Sequence, residues 1–371
     1  MQGLPAAEDP AFLSSQLITC LGNKRALLDL IGEGVEKASA RLGGRRLSAL
    51  DAFSGSGVVS RFFKRYSKQL YVNDIEDYAR IASDCFLANR SAFPSAEFAE
   101  ARAFLERRLS EPLVDGGIVA RLYAPIDDED IRPGERVFYT RRNARYLDTA
   151  RLAIGELPGY LQPFFLGPLI SEASVHANTS GVFKGFYKDP GTGLGRFGGR
   201  KGDALSRIKG EISLAPPVLS RHECDVFVLQ GDANSLGGRL PGLDLAYLDP
   251  PYNQHPYGSN YFMLNLLAKY EEPRAISRVS GIPHDWRRSD YNRAGAAAAR
   301  LGELVAGLDA KFVLVSFNSE GFIGQGEMEA ILGREGKVEI LERKYNAFRG
   351  SRNLGGRGLH VREYLYILEK N

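Results

Sequence analysis

Cysteine and histidine are scarce in this chain: three cysteines and five histidines in 371 residues. Cys20, Cys85 and Cys224 lie far apart, and no Cys-x-x-Cys or Cys/His grouping has zinc spacing. No metal centre is expected, and the thiols read as free in a reducing cytoplasm. No apolar run approaches the ~20 residues that a membrane helix needs. Residues 1–10 carry acids and lack the basic start and apolar core of a signal peptide, and residues 1–15 read as a loose leader. One-sided charge is missing too. The net charge is only +3, so a nucleic-acid partner has to be argued from local clusters. The glycine-rich turn at residues 54–57 is not a Gly-x-Gly-x-x-Gly, and no Lys-Ser/Thr follows it, which excludes a P-loop there.

What is present is an ordinary globular composition, 44% hydrophobic and 25% charged, long enough for one large domain with an insertion, or for two. The most informative stretch is Asp249-Pro250-Pro251-Tyr252. Residues 243–248 before it are apolar apart from Asp244 and read as a buried strand. Neither proline can donate to the ladder, so the strand stops there and presents Asp249 at its carboxyl end. That is where open α/β sheets bind ligands. A carboxylate with an aromatic ring three positions on suits a planar base bearing an exocyclic amine: an acceptor for the amine hydrogens and a face for stacking.

Earlier in the chain, residues 47–53 read as a strand, Ser54-Gly55-Ser56-Gly57 as a tight turn, and residues 58–63 as a helix start. Glycines there let backbone approach a ligand closely. Residues 69–74 form the next strand, and Asp74 stands ~20 positions past the turn, where a carboxylate typically takes ribose hydroxyls. Gly22-Asn23-Lys24 precedes an apolar helical run and offers amides and an ammonium at a helix start. Residues 225–233 resume the sheet, with Asp232 at a strand end; residues 311–318 and 363–369 read as later strands. Residues 271–292 look irregular and are a candidate mobile lid.

Between residues 91 and 222 the sheet rhythm breaks, and an inserted domain is expected, with a helix starting near Thr140 as N-cap. Within it, Lys184, Lys188, Arg196, Arg200, Lys201, Arg207 and Lys209 alternate with aromatics on a glycine-rich backbone. This mixture suits phosphate contact and base stacking. A second basic loop near the C-terminus holds Arg349 and Arg352.

Taken together these motifs resemble the Dam-type, alpha-group adenine-N6 DNA methyltransferases over nearly the whole chain. The most specific pair is Asp-Pro-Pro-Tyr with Phe53-x-Gly55-x-Gly57. The runs 253–267 and 351–364 resemble the branch found in type II restriction–modification systems. Cys20 stands where family members commonly have tyrosine. The resemblance implies an α/β, Rossmann-like sheet with an inserted target-recognition domain. Residues 1–90 and 223–371 would be the two parts of the catalytic domain and 91–222 the insertion. It implies S-adenosylmethionine as cofactor, with Lys24 and the turn of Phe53, Gly55 and Gly57 toward its methionine end and Gly22, Asn23 and Asp51 also among the cofactor-binding residues. Asp74 would hold the ribose and Asp232 the adenine amine. Asp249 and the Pro250 carbonyl would hold the target amine, with Pro251 shaping the loop and Tyr252 stacking on the flipped base. Double-stranded DNA is the implied partner. A cognate restriction endonuclease would act on the same site without direct contact, in the cytoplasm. The alternatives from the residues alone are an RNA adenine methyltransferase and a catalytically inactive DNA-binding relative. A protein amide or cytosine-N4 substrate ranks lower, because Asp stands at 249.

Overall fold

The computed structural model describes residues 7–20, 22–199, 202, 204–346 and 360–371. Seven strands build one sheet: β1 Leu47–Asp51, β2 Ser67–Asp74, β3 Asp225–Gln230, β4 Leu243–Leu248, β5 Ala310–Asn318, β6 Gly336–Asn346 and β7 His360–Lys370. Their order is β3-β2-β1-β4-β5-β7-β6. The first five in that order run parallel, and β7 inserts antiparallel between β5 and β6. This is the expected Rossmann-like α/β sheet.

β4 is central because its sequence suits burial on both faces. Leu243, Ala246 and Leu248 enter one hydrophobic cluster, and Leu245 and Tyr247 enter the cluster on the opposite face. Its one charge, Asp244, is satisfied by the Arg45 guanidinium at 2.5 and 2.6 Å and by the Ser48 amide at 2.9 Å. Helices Leu28–Arg41 and Val58–Phe63 cover one face, and helices Ala294–Gly307 and Gln325–Leu332 cover the other. Strand order changes direction between β1 and β4, which opens a crevice at their carboxyl ends.

The segment 91–222 is mainly helical, with Ser95–Ser110, Ile118–Tyr123, Arg141–Gly155 and Gln162–Val175. Thr140 caps the third of these, accepting from the Asn143 amide at 3.2 Å. These helices share one hydrophobic cluster with Asp77–Phe86 and Phe262–Lys269, which belong to the flanking segments. The expected boundaries at 90/91 and 222/223 therefore cross continuous packing.

The N-terminal segment is not loose where it is described. Asp9 caps a short helix, Pro10–Ser14, whose Phe12 is fully buried. Arg61, itself buried, donates to the carbonyls of Phe12, Ser15 and Gln16, each at 2.9 Å. The alternation of polar and apolar residues there is too short to announce this docking. The irregular run 271–292 is likewise tied down: Arg287 donates to the Ile75 carbonyl and pairs with Asp77 at 3.1 Å. Among the described residues no helix is long and apolar enough to cross a membrane.

Candidate active site

The turn after β1 makes the floor of an open cavity. Gly55 and Gly57 have φ of 50° and 76°, and a Cβ at either would meet nothing within 4 Å. Glycine is therefore needed there for backbone conformation and not for lack of space. Asp74, at the end of β2, accepts from the Gly55 amide at 2.7 Å and the Glu76 amide at 2.9 Å, and burial raises its carboxyl above the ordinary range.

Gly22, Asn23, Lys24, Phe53, Gly55, Asp74 and Asp232 all line this cavity, as do Asp249 and Pro251. Gly57 starts the helix Val58–Phe63 just outside the lining, and Pro250, which is buried, also lies outside it. Asp51 also lies outside the lining. It is fully buried under the turn and accepts from Ser60 Oγ at 2.5 Å. Burial pushes its carboxyl up to about 7, against the lowering by Ser60. Asp51 thus braces the glycine turn from below. It points away from the cavity because the turn reverses the chain immediately after it. Asp232 is half-exposed, pairs with Arg300 at 3.2 Å and caps the turn that follows.

Two buried polar atoms on the cavity wall, Ser54 Oγ and Asn73 Oδ1, have no partner among the described residues. Asn73 is oriented by donating to the carbonyls of Ala52 and Gly231, both at 3.1 Å. Buried polar groups are normally satisfied, so this wall is complementary to a polar ligand. The residues present fit a nucleoside-bearing cofactor: an aromatic ring (Phe53), a strand-end carboxylate (Asp74) and the unpartnered oxygens of Ser54 and Asn73. Cys20 also faces the cavity; burial pushes its thiol up to about 11 while a hydrogen bond from Ser56 pulls it down.

At Asp249 both carboxylate oxygens are occupied. Lys24 Nζ lies 3.0 Å from Oδ2, and the Tyr252 hydroxyl donates to Oδ1. Lys24 is 4% exposed and also donates to the Gly22 carbonyl at 3.2 Å. Its ammonium sits 4.7 Å from the centre of the Tyr252 ring. The Tyr252 ring packs against Phe317, centroids 4.8 Å apart. Lys24, expected toward the cofactor's methionine end, lines the cavity with its ammonium on the Asp249 carboxylate. Tyr252 is folded onto Asp249 and Phe317.

The basic surface resolves unevenly. Lys184 is exposed, with Nζ 3.2 Å from His255 Nδ1 on the loop after Tyr252. Burial lowers the pKa of both groups, and the ammonium lowers that of His255 further. Lys188 is exposed and lies over the Phe186 ring. Arg196 is half-buried, donating to the Gly199 carbonyl at 2.7 Å and pairing with Asp189 at 3.6 Å. Arg207 turns inward, donating to the carbonyls of Val175, Ala177 and Thr179 at the end of a helix. It is structural and not a phosphate contact. Lys209 pairs with Glu129 at 3.7 Å. Arg200, Lys201, Arg349 and Arg352 lie outside the described residues.

Sequence reasoning missed Glu76, Arg287 and His255. Glu76 is buried on the cavity wall, accepts from Asn265 Nδ2 at 2.5 Å, and burial beside Asp74 pushes its carboxyl up to about 7. Gly258 lets the loop holding Arg287 close over it: a Cβ there would lie 2.6 Å from the Arg287 carbonyl oxygen and 3.1 Å from Glu76 Oε1. The spacing of Glu76 from Asp74 carried no distinctive signal. Among the described residues no group of three or more His, Cys, Asp or Glu could hold a metal.

Residues 197–303 match the family of D12 class N6 adenine-specific DNA methyltransferases. Type II methyltransferase M.NlaIII from Neisseria lactamica is 29% identical over 329 residues, covering 86% of this chain and 90% of the relative. Type II methyltransferase M.CviAII from Paramecium bursaria Chlorella virus 1 is 27% identical, covering 94% of this chain and 97% of the relative. Type II methyltransferase M.FokI from Planomicrobium okeanokoites is 26% identical over 95% of this chain but only 52% of its own length.

Proposed function

We propose that this chain is an adenine-N6 DNA methyltransferase of the restriction–modification kind, a reading that the family match and the relatives support. The cofactor in this reading is S-adenosylmethionine, held in the cavity above the glycine turn. When bound, it supplies an electrophilic methyl group on a sulfonium. Asp74 takes the ribose hydroxyls, Asp232 the adenine amine, and Ser54 and Asn73 contribute their unpartnered oxygens.

The target adenine cannot reach Asp249 inside a duplex, so the base is flipped, at a cost of a few kcal/mol. Stacking on Tyr252 returns part of that, at ~1–3 kcal/mol per base. An adenine amine is a poor nucleophile because its lone pair is delocalised into the ring. The Asp249 carboxylate and the Pro250 carbonyl accept its two hydrogens and turn the lone pair toward the cavity. After transfer the nitrogen sheds one proton, which Asp249 is placed to accept.

The observation that carries this reading is the position of Asp249: at the carboxyl end of the central strand, on the wall of the cavity floored by the Gly55 turn. Lys184 and Lys188 contribute phosphate contacts, and the segment 91–222 supplies target recognition. We place the enzyme in the cytoplasm, beside a cognate endonuclease that shares its site. The test is modified-base sequencing of DNA from a methylation-deficient host expressing the chain or Asp249→Ala. N6-methyladenine at one motif, absent from the variant, is expected. No modification in either would reject the DNA reading and favour RNA or binding without turnover.

A further inference from the structure

Glu76 is 3% exposed and lines the same cavity as Asp74. The Glu76 amide donates to Asp74 Oδ1 at 2.9 Å, which ties the two residues into one turn of chain after β2. The Glu76 side chain is held from the other side. Asn265 Oδ1 accepts from the Tyr78 amide at 3.3 Å, so its Nδ2 is the end left for Glu76, and it donates to Oε2 at 2.5 Å. Among the described residues no hydrogen bond reaches Oε1. Gly258, another cavity residue, leaves that oxygen uncovered: a Cβ there would stand 3.1 Å from Oε1. Arg287, also on the lining, gives its guanidinium to the Ile75 carbonyl and to Asp77 and does not pair with Glu76. A buried carboxylate with a free oxygen is unfavourable unless a donor reaches it. In keeping with that, burial beside Asp74 raises this carboxyl to about 7.

We propose that Glu76 accepts one hydroxyl of the cofactor's ribose, beside Asp74, and is thereby a second carboxylate of the ribose site. The vicinal diol of a ribose offers two O–H donors, and the turn after β2 offers two carboxylates on one cavity wall. Asn265 fixes the Glu76 carboxylate so that Oε1 is the oxygen left for the ligand. The inference rests on the reading of this cavity as the S-adenosylmethionine site.

The test is isothermal titration of the full chain with S-adenosylhomocysteine, which binds without turnover, at pH 8, where the Glu76 carboxyl is ionised. Glu76→Gln keeps the shape and removes the charge; affinity is expected to fall about tenfold or more, as for loss of a hydrogen bond to a charged group. With either the 2′-deoxy or the 3′-deoxy form of the ligand, whichever lacks the partner hydroxyl, the same substitution should cost no more than about twofold. With 5′-methylthioadenosine, which keeps the ribose and has no methionine ammonium, the full loss should persist. A loss equal for all four ligands means packing or a general field effect, and a loss that vanishes with 5′-methylthioadenosine puts Glu76 on the ammonium. Either result overturns the proposal, as does a Glu76→Gln chain that binds S-adenosylhomocysteine within about twofold of the parent. Should Glu76→Gln fail to fold, Asn265→Ala, which removes the donor that orients Glu76, is titrated with the same ligands, and a loss that no deoxy form abolishes overturns it. The parent titration separates the two levels: a parent chain that binds none of the four ligands rejects the reading of the cavity itself, whatever Glu76 does.

Discussion

Asp51 is an acid held where acids are unfavourable, and Asp51→Asn should stabilise the fold in a pH-dependent way. Asp51 is fully buried, and burial raises its carboxyl from 3.8 to about 7. A rise of about three units at ~1.4 kcal/mol per unit sets a ceiling of about 4 kcal/mol on the stability lost when it ionises. The folded pKa lies above the unfolded one, so the unfolded chain releases this proton first and the folded chain binds more protons. Stability is therefore highest below pH 3.8 and falls as pH rises through about 7. By linkage roughly half of the loss has occurred by pH 5.5, and the rest follows by pH 8.5. Asparagine cannot ionise. Its oxygen can accept from Ser60 where Oδ2 does, and its amide falls where Oδ1 has no partner. The variant's stability advantage should thus widen by about 2 kcal/mol between pH 5.5 and 8.5. Urea unfolding at the two pH values measures this difference, and other titrating groups cancel between parent and variant. An advantage that is the same at both pH values would refute the reasoning. Cofactor affinity should change little, since Asp51 does not face the cavity.

Lys184→Ala should weaken duplex DNA binding several-fold and lower the slope of log affinity against log salt by ~0.9, one phosphate contact; filter binding across a salt series checks it, and an unchanged slope removes Lys184 from the interface. Arg207→Ala should leave that slope unchanged and destabilise the fold by about 2 kcal/mol, because three carbonyls lose a charged donor; thermal unfolding reads this directly. Asp249→Ala should lower methyl transfer by more than about a thousandfold while cofactor binding stays within a few-fold, since the amine loses its acceptor but the wall around Asp74 is untouched; equal loss of both would remove Asp249 from its assigned role.

Much of the site was readable along the chain because its signals are local. An apolar run closed by two prolines can only be a strand that stops, and it delivers Asp249 to a sheet end whatever lies beside it. Gly55 and Gly57 between a strand and a helix announce a tight turn by backbone freedom alone. The strand-end position of Asp74 follows from period and length. These features depend on a residue and its near neighbours.

What tertiary structure decided is which of several equivalent residues meet. Asp51 and Asp74 both end strands, yet one is folded under the turn and the other opens onto the cavity. Arg207 and Lys184 are both cations of one basic stretch, yet one satisfies helix-end carbonyls while the other faces outward. Lys24 and Asp249 come from two distant segments, and nothing in their local sequence states that they meet. Charge and hydrogen-bonding capacity belong to a residue, and the sequence shows them. Burial and partner depend on how strands β4, β5 and β7 stack beside the first helix, and only the assembled sheet settles them.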